Sequence, residues 1–213
     1  MTLPVLYSFR RCPYAMRARL AIMASGTACE LREVKLSAKP PGLIAASPKA
    51  TVPVLVLPGG VVIEQSLAIM HFSLGRNDPY GWLSRNHGDL IAMNDGPFKH
   101  DLDRYKYPHR HDSDPAAHRD RGADFLRRLD QMLADGGQLC GREPGLADMA
   151  IMPFVRQFAA TDAAWFAAQP LPLLQRWLED HLASARFASV MTRYAPWQAG
   201  DAPTVFGAQA IGV

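Results

Sequence analysis

The sequence has few cysteines, no long hydrophobic run and no stretch of like charge. Its three cysteines, Cys12, Cys29 and Cys140, stand far apart among 213 residues. An odd number at this spacing argues against a disulfide framework and favours a reducing compartment, so we expect a cytoplasmic protein. No apolar run reaches the roughly 18 residues that span a bilayer, and the first residues show no signal-peptide pattern. We therefore expect a soluble chain with no membrane partner.

The charge pattern argues against a nucleic-acid partner. The formal net charge is only +3, and lysines and arginines are interleaved with acidic residues instead of forming a basic run. A nucleic-acid module normally gathers its positive charge on one face or in one segment. With 48% hydrophobic and 20% charged residues, the composition is that of a globular protein. The length suits one large domain or two modest ones.

Strand and helix patterns alternate in the first third of the chain. Short β-branched or apolar runs bounded by turn residues predict the strands, and apolar residues at helical spacing predict the helices. The predicted elements are a strand at Val5–Tyr7, a helix from Pro13 to a stop at Ser25-Gly26, a strand at Cys29–Leu36, a hairpin of Thr51–Leu57 with Val61–Ile63, and a helix with Ser66 as its N-cap.

The rest of the chain shows helical patterns only. Asn, Asp, Pro and Gly cluster between Gly75 and about Leu90, which is typical of a linker. Beyond this segment, apolar residues recur at helical spacing over 125–133, 149–158 and 173–182. The predicted fold class is therefore α/β plus all-α. We expect a small α/β domain at 1–75, a linker at 76–90 and a helical C-terminal domain at 91–213.

Arg10-Arg11-Cys12-Pro13 is the strongest functional signal in the sequence. Pro13 suits the first position of the first helix and Cys12 its N-cap. Unpaired backbone N–H groups, the helix dipole and the arginines all favour a thiolate there. The alternative is a cysteine buried as a small hydrophobic side chain, which is what we expect of Cys29 and Cys140. No second cysteine stands at Cys-x-x-Cys spacing, so a redox cycle would need another thiol.

Pro53 opens the predicted hairpin, although a proline forfeits one hydrogen bond of a sheet. A cis Val52-Pro53 bond would explain its position, because it turns the N–H and C=O of Val52 outward to pair with an extended peptide ligand. The alternative is a trans proline at the first residue of an edge strand.

Four segments together resemble the cytosolic glutathione transferase family, specifically its cysteine-type branch related to the omega and dehydroascorbate reductase classes. They span both predicted domains and stand in the family's order. The segments are Tyr7–Ala15, similar to the active-site segment, Ala38–Leu55, similar to that branch's loop, Gln65–Ile69, similar to the glutathione-binding motif, and Gly145–Ala150, similar to the folding motif of the C-terminal domain.

The resemblance implies a thioredoxin-like N-terminal domain that binds glutathione as a co-substrate, with no metal. Glutathione is an extended anionic tripeptide, so it needs backbone pairing for its cysteinyl part and helix-start donors for its γ-glutamyl carboxylate. We expect Val52, before Pro53, to supply the pairing and Ser66 to hold the carboxylate. By resemblance, Gln65 contacts the γ-glutamyl end and Lys39 approaches the glycyl carboxylate, unless Lys39 is a solvated loop residue.

Two positions depart from the family pattern. Gly145 stands where a Ser or Thr usually caps the helix that carries Asp148, so one side-chain bond is lost at a cost of about a few tenths of a kcal/mol. Gln65 stands where the cysteine-type classes more often carry Glu, which weakens the assignment to a named class.

A second-substrate pocket is implied by the resemblance, between the two domains. Phe9, Tyr14 and Tyr105 are its aromatic candidates, although aromatic residues at helical spacing more often belong to a core. The nearby segment that holds His100 and His118 is rich in Asp, yet its spacing matches no metal-site pattern. We therefore expect that segment to be a solvated helix surface without a metal.

The main functional hypothesis is an enzyme, a glutathione-dependent thiol transferase. In it, the Cys12 thiolate attacks a disulfide or another electrophilic small molecule, becomes glutathionylated and is released by a second glutathione. An alternative is a conjugating transferase, in which Tyr7 or Ser8 donates a hydrogen bond to the thiolate of bound glutathione. A hypothesis of another class is a non-catalytic binding or regulatory protein with this fold. The resemblance also implies a homodimer.

Overall fold

The structure is a computed structural model that describes residues 2–208, and these form two compact units. The first unit contains residues 2–83 and 184–208, and the second contains residues 84–183. The chain thus leaves the first unit and later returns to it. The domain limits at 1–75, 76–90 and 91–213 stay predictions, since compact packing does not by itself define a folding domain.

The first unit is built on a five-stranded sheet. The strands are β1 (Val5–Ser8), β2 (Cys29–Glu33), β3 (Val54–Val56), β4 (Val62–Ile63) and β5 (Val205–Phe206). Their order in the sheet is β4-β3-β1-β2-β5. β1 and β2 are parallel, and the other neighbours are antiparallel. The predicted hairpin is confirmed as β3 and β4, although both strands are shorter than the sequence predicted.

Strand β5 contradicts the prediction that no strand follows the linker. Val205 pairs with Glu30 and Phe206 with Cys29, so β5 covers the outer edge of β2. Two residues are too few to show an alternating pattern, which is why the sequence does not reveal this strand. The next residue, Gly207, has a φ of +82°, and a Cβ there would lie 2.4 Å from the carbonyl oxygen of Thr27.

Three helices of the first unit precede the second unit in sequence. They are α1 (Pro13–Ser25), α2 (Pro41–Ala46) and α3 (Ser66–Arg76). The predicted limits of α1 are confirmed, and Gly26 ends the helix with a left-handed φ of +69°. Helix α1 packs against α3, while Leu43 of α2 packs with Tyr7, Val34 and Val54 in a buried apolar cluster.

The second unit is helical. Its regular elements are α4 (Gly88–Met93), a π-helical segment (Asn94–Phe98), α5 (Lys99–Lys106), α6 (Pro108–His111), α7 (Pro115–Met132), a 3₁₀ turn (Leu133–Asp135), α8 (Leu146–Ala159), α9 (Ala163–Ala167) and α10 (Pro172–Ala183). The three helical patterns found in the sequence correspond to α7, α8 and α10. Phe98 packs between Phe125 and Phe158, with ring centroids 4.8 and 5.4 Å away.

Asp148 fixes the start of α8. Its carboxylate is buried, and one oxygen accepts the backbone N–H of Gly145 at 2.9 Å. The other oxygen accepts the backbone N–H of Leu139 at 2.7 Å and the indole N–H of Trp177 at 3.1 Å. This single carboxylate therefore joins the loop before α8, the helix itself and α10.

Gly145, the N-cap of α8, has a steric reason to be glycine. A Cβ at this position would lie 2.3 Å from the carbonyl oxygen of Arg85 and 2.6 Å from the Sγ of Cys140. Cys140 donates its S–H to that same carbonyl oxygen at 3.2 Å. Glycine therefore stands at position 145, where the family usually has Ser or Thr, and the Cys140 side chain occupies the space that a side chain at this position would need.

After α10 the chain returns to the first unit through α11 (Ala185–Val190), which packs against α1. The residues that follow run back to β5. No helix within residues 2–208 combines the length and apolar character needed to cross a membrane.

Candidate active site

Cys12 lies at the N-cap of α1, as the sequence predicts. Strand β1 ends at Ser8, and the backbone N–H of Cys12 donates to the carbonyl oxygen of Phe9 at 2.9 Å, which closes a tight turn over Arg10 and Arg11. Pro13 occupies the first helical turn. A thiolate at this position faces the positive end of the helix dipole.

Val52 lies beside this thiol. The Val52-Pro53 bond is cis, which confirms the explanation offered for a proline ahead of β3. The Sγ of Cys12 lies 3.6 Å from the carbonyl oxygen of Val52 and donates to it. Among the described residues, no group accepts the backbone N–H of Val52. The thiol and a peptide edge suited to an extended ligand are therefore adjacent.

Ser66 is the first residue of α3 and not its N-cap, which corrects the sequence prediction. The N-cap is Gln65, which is exposed. The side chain of Ser66 is turned inward and is only 4% exposed, and its Oγ accepts a hydrogen bond from the Nε of Arg17 at 2.9 Å. Arg17 itself is 2% exposed. The start of α3 is therefore tied to α1 by a buried guanidinium.

Lys39 lies in the segment between β2 and α2 and is exposed to solvent. This segment turns through a bridge between Lys35 and Ala38, and Pro40 is the N-cap of α2. Nothing in these positions tests whether Lys39 approaches a glycyl carboxylate, so that role stays a prediction.

The hydroxyl donors of the conjugation hypothesis are buried. Tyr7 is 3% exposed, and its hydroxyl accepts a hydrogen bond from the Nη1 of Arg32 at 2.9 Å. Ser8 is fully buried, and its Oγ accepts from the Nε of Arg19 at 2.8 Å. Each hydroxyl is thus buried beside an arginine that donates a hydrogen bond to it.

The aromatic candidates divide between the two units. In the first unit, Phe9 and Tyr14 are half-buried, and Arg11 lies over the ring of Phe9 at 5.3 Å. In the second unit, Tyr105 packs on Phe158 with ring centroids 5.0 Å apart. Burial and the charge of Asp162 raise the pKa of Tyr105 above its ordinary value. Among the described residues its hydroxyl has no hydrogen-bond partner.

Cys29 and Cys140 have environments that suppress thiolate formation. Burial raises the pKa of Cys29 to about 12. Burial, with the charge of Asp148, raises the pKa of Cys140 to about 11. All three cysteines lie within residues 2–208, and none forms a disulfide there. Both surroundings agree with the structural role expected of these two residues.

Sequence reasoning missed the groups that hold the active-site turn. Glu33 of β2 accepts the backbone N–H of Arg10 at 2.8 Å through one carboxylate oxygen and pairs with the guanidinium of Arg19 through the other. Arg17 and Arg19 are both buried in α1. Two arginines within an otherwise apolar helical pattern are the signal that could have found this arrangement, because a buried guanidinium needs a partner.

The prediction of a solvated histidine surface is wrong for His118. His118 of α7 and Asp101 of α5 are both buried, and the Nδ1 of His118 lies 2.6 Å from the Oδ1 of Asp101. His100 joins the cluster. The guanidinium of Arg121 binds the same Asp101 oxygen at 3.1 Å. The cluster joins α5 to α7.

Comparisons with known protein families identify the chain. Residues 6–79 match the family described as Glutathione S-transferase, N-terminal domain, and residues 100–180 match Glutathione S-transferase, C-terminal domain. A "Probable glutathione transferase" of Aplysia californica is 40% identical over 70 residues, which are 33% of this chain and 76% of that protein. The chain belongs to the glutathione S-transferase family, which is a family of enzymes.

Solved structures share the fold. A glutathione transferase family member from Pseudomonas fluorescens, with two glutathione molecules bound, has a TM-score of 0.74 and 17% identity over 89% of this chain and 92% of its own. A glutathione transferase from Burkholderia graminis, with two glutathione molecules bound per subunit, has a TM-score of 0.72 and 19% identity over 89% of this chain and 87% of its own.

Proposed function

We propose that the chain is a glutathione-dependent thiol transferase of the cysteine-type branch, with Cys12 as its catalytic nucleophile. The observation that carries the proposal is the Cys12 thiol at the start of α1, 3.6 Å from the carbonyl oxygen of Val52. Because Val52 lies at the edge where an extended peptide can pair, a glutathionyl group on Cys12 would have its binding surface at hand. That two structural relatives bind glutathione supports glutathione as the co-substrate.

The proposed reaction consists of two thiol–disulfide exchanges. The Cys12 thiolate attacks the glutathionyl sulfur of a mixed disulfide, the old S–S bond breaks, and the other half leaves as a thiolate that takes up a proton. A glutathione thiolate then attacks the Cys12 mixed disulfide, which releases glutathione disulfide and restores the Cys12 thiolate. In sum, one mixed disulfide and one glutathione give the free thiol of the other half and glutathione disulfide. One protein cysteine is enough.

The remaining groups are proposed to bind glutathione. Val52, held by cis Pro53, pairs with the cysteinyl part of the peptide, while Gln65 and Ser66, with the backbone N–H groups at the start of α3, hold the γ-glutamyl carboxylate. Lys39 approaches the glycyl carboxylate as a compact positive charge. No metal takes part in this proposal.

Conjugation is less well supported than thiol transfer. The two hydroxyls considered for it, Tyr7 and Ser8, are buried and bonded to Arg32 and Arg19. A conjugating enzyme would have to activate glutathione through another donor.

The test is turnover of hydroxyethyl disulfide with glutathione by the protein and its Cys12→Ala and Cys12→Ser variants. We expect both variants to lose nearly all activity, since serine is a far weaker nucleophile than a thiolate. Cys140→Ala is the matched control, and we expect it to keep full activity because the Cys140 thiol is not ionised at neutral pH. Retained activity in both Cys12 variants would overturn the mechanism. Conjugation of an aryl halide by those variants would instead favour the transferase alternative.

Cytoplasmic location and a homodimer are also part of the proposal, and sedimentation of the purified protein tests the oligomeric state. A single species of monomer mass at all concentrations would exclude the dimer.

A further inference from the structure

A cavity of about 540 Å³ opens in the first unit beside the active-site turn. Its volume lies within the range of small-molecule sites, roughly 300–1,000 Å³. Four of its lining side chains are cations: Arg10, Arg11, Lys35 and Arg193. Among residues 2–208, none of these four pairs with a carboxylate. The cavity therefore carries positive charge that the described protein leaves uncompensated.

Glu33 is the acidic residue in the cavity lining, and its carboxylate is already engaged. One oxygen accepts the backbone N–H of Arg10, and the other pairs with the buried guanidinium of Arg19. The ion pair with Arg19 already neutralises the negative charge of Glu33. That charge therefore does not offset the four cations that line the cavity.

The cavity adjoins the proposed nucleophile. Phe9, Arg10 and Arg11 belong to the turn that the hydrogen bond from the Cys12 N–H to the Phe9 carbonyl closes at 2.9 Å. Cys12 follows Arg11 directly, so its Cα lies about 3.8 Å from the Cα of a residue that lines the cavity.

The opposite wall comes from the returning C-terminal segment. Arg193 and Tyr194 line the cavity, and the next anchor is Trp197, whose backbone N–H donates to the carbonyl oxygen of Glu33 at 2.8 Å. The guanidinium of Arg32 lies over the Trp197 ring at 4.2 Å. The wall is therefore fastened to β2, and the cavity has apolar as well as cationic surface, with Leu36 48% exposed.

We propose that this cavity binds the anionic part of the second substrate, a disulfide or electrophile that carries a carboxylate on an apolar body. The proposal rests on the function proposed for Cys12. The carboxylate contacts Arg193 and Lys35, the apolar body packs on Phe9 and Leu36, and the electrophilic sulfur faces Cys12. Specificity then comes from charge, since a neutral analogue of the same shape leaves the cations unpaired.

The test compares two aromatic disulfides, dithiobis(nitrobenzoate), which is dianionic, and dithiodipyridine, which is neutral. With either compound, the Cys12 thiolate attacks one sulfur, the S–S bond breaks, and an aromatic thiolate leaves. The chromophore is thionitrobenzoate itself in the first case and, after the leaving thiolate takes up a proton on its ring nitrogen, pyridinethione in the second. The rate constants are measured with excess reagent for the protein, for Arg193→Glu and Lys35→Glu, and for Arg142→Glu, an exposed arginine outside the cavity. Unfolding in urea checks that the variants fold.

We expect Arg193→Glu and Lys35→Glu each to lower the ratio of dianionic to neutral rate constants about tenfold, because a lost charged hydrogen bond is worth that much. Arg142→Glu should leave the ratio unchanged, although it alters the net charge equally. If the ratio is unchanged in both cavity variants, the proposed binding of a carboxylate in the cavity is wrong. Reaction of Cys12 with the neutral disulfide would in that case still support the Cys12 mechanism. A wild-type protein whose Cys12 reacts with neither disulfide overturns both.

Discussion

Arg19 and Glu33 form an ion pair behind the active-site turn, and the same carboxylate accepts the backbone N–H of Arg10 at 2.8 Å. Arg19 is fully buried, and this burial lowers the pKa of Arg19 from its ordinary value, with Glu33 acting in the opposite direction. The Nη1 of Arg19 also donates to the carbonyl oxygen of Val190 at 3.2 Å. The Arg19 guanidinium thus joins strand β2 to the end of α11, and the Glu33 carboxylate that it pairs with holds the turn before Cys12.

The stability contributions of Arg19 and Glu33 should be coupled, because the two side chains form an ion pair. We expect Arg19→Met to lower the free energy of unfolding by about 3–5 kcal/mol, because Glu33 would keep a buried charge without its ion-pair partner. The double variant Arg19→Met with Glu33→Leu should lose less than the sum of the single variants. Urea unfolding of the three variants measures this coupling. Strict additivity would mean that the two side chains do not stabilise each other.

Only Cys12 should react with iodoacetamide in the folded protein near pH 8. This pH lies about half a unit below the ordinary pKa of a cysteine thiol. Burial raises the pKa of Cys29 to about 12 and that of Cys140 to about 11, so both remain thiols there. Peptide mass spectrometry identifies the labelled residue. Protein unfolded in urea serves as the control, in which all three cysteines should be labelled. Rapid labelling of Cys140 in the folded protein would contradict the prediction.

Arg17 should act on glutathione binding as a positioning residue, through Ser66. Its Nε donates to the Ser66 Oγ at 2.9 Å. We expect Arg17→Lys, which keeps the charge but not the geometry, and Ser66→Ala each to raise the KM for glutathione about tenfold with little change in kcat. If the two act through one contact, the double variant should be no worse than Ser66→Ala. If Arg17→Lys lowered kcat by as large a factor as it raised the KM for glutathione, the substitution would have disrupted the active site in general instead of glutathione binding alone.

Gly145→Ala should destabilise the second unit. The new Cβ would meet the Arg85 carbonyl oxygen at 2.3 Å and the Cys140 Sγ at 2.6 Å, and forced overpacking of this kind costs about 1–3 kcal/mol. Gly75→Ala is the matched control, because Gly75 lies in α3 with no atom within 4 Å of the added Cβ. There we expect a gain of up to about 1 kcal/mol. Thermal unfolding measures both effects, and we expect a lower melting temperature for Gly145→Ala and an unchanged or higher one for Gly75→Ala.

Asp101 should contribute stability that is lost in acid. Burial alone would raise the pKa of Asp101, but hydrogen bonds with His118 and Arg121 and the charge of Arg121 outweigh it, so the pKa lies below its ordinary value. A carboxyl with a depressed pKa stabilises the fold above its unfolded pKa, about 3.9, and this stability disappears as the pH falls through the folded value.

Asp101→Asn should therefore be less stable than the wild type at neutral pH and should lose less stability below about pH 4. Urea unfolding at a series of pH values gives both curves. If the free energies of unfolding of the two proteins differed by the same amount at every pH down to below about pH 4, Asp101 would not contribute stability in this way.

Local patterns predicted the parts of the site that lie next to each other in sequence. Strand β1, the N-cap position of Cys12 and the end of α1 at Gly26 follow from residues only a few positions apart. A cis Val52-Pro53 bond is one of the two explanations that the sequence offers for a proline at the start of a strand, and the structure has the cis form. These features depend on backbone propensities, which are readable from a short window.

The parts that escaped prediction depend on partners distant in sequence. The sequence predicts Ser66 as the N-cap of α3, but its hydroxyl turns inward to Arg17. His118 was expected to be solvated, but it pairs with Asp101 on another helix. Polar side chains that are buried by such tertiary partners look like surface residues in the sequence, because periodicity records only apolar burial.

Strand β5 has a consequence for how the protein is made. The first unit needs residues 184–208, since β5 completes the sheet beside β2 and Val190 receives a hydrogen bond from Arg19. The ribosome synthesises these residues after the whole second unit. During translation the outer edge of β2 therefore stays unpaired until β5 emerges from the ribosome. A fragment that stops near residue 83 would keep this edge open to pairing with other chains.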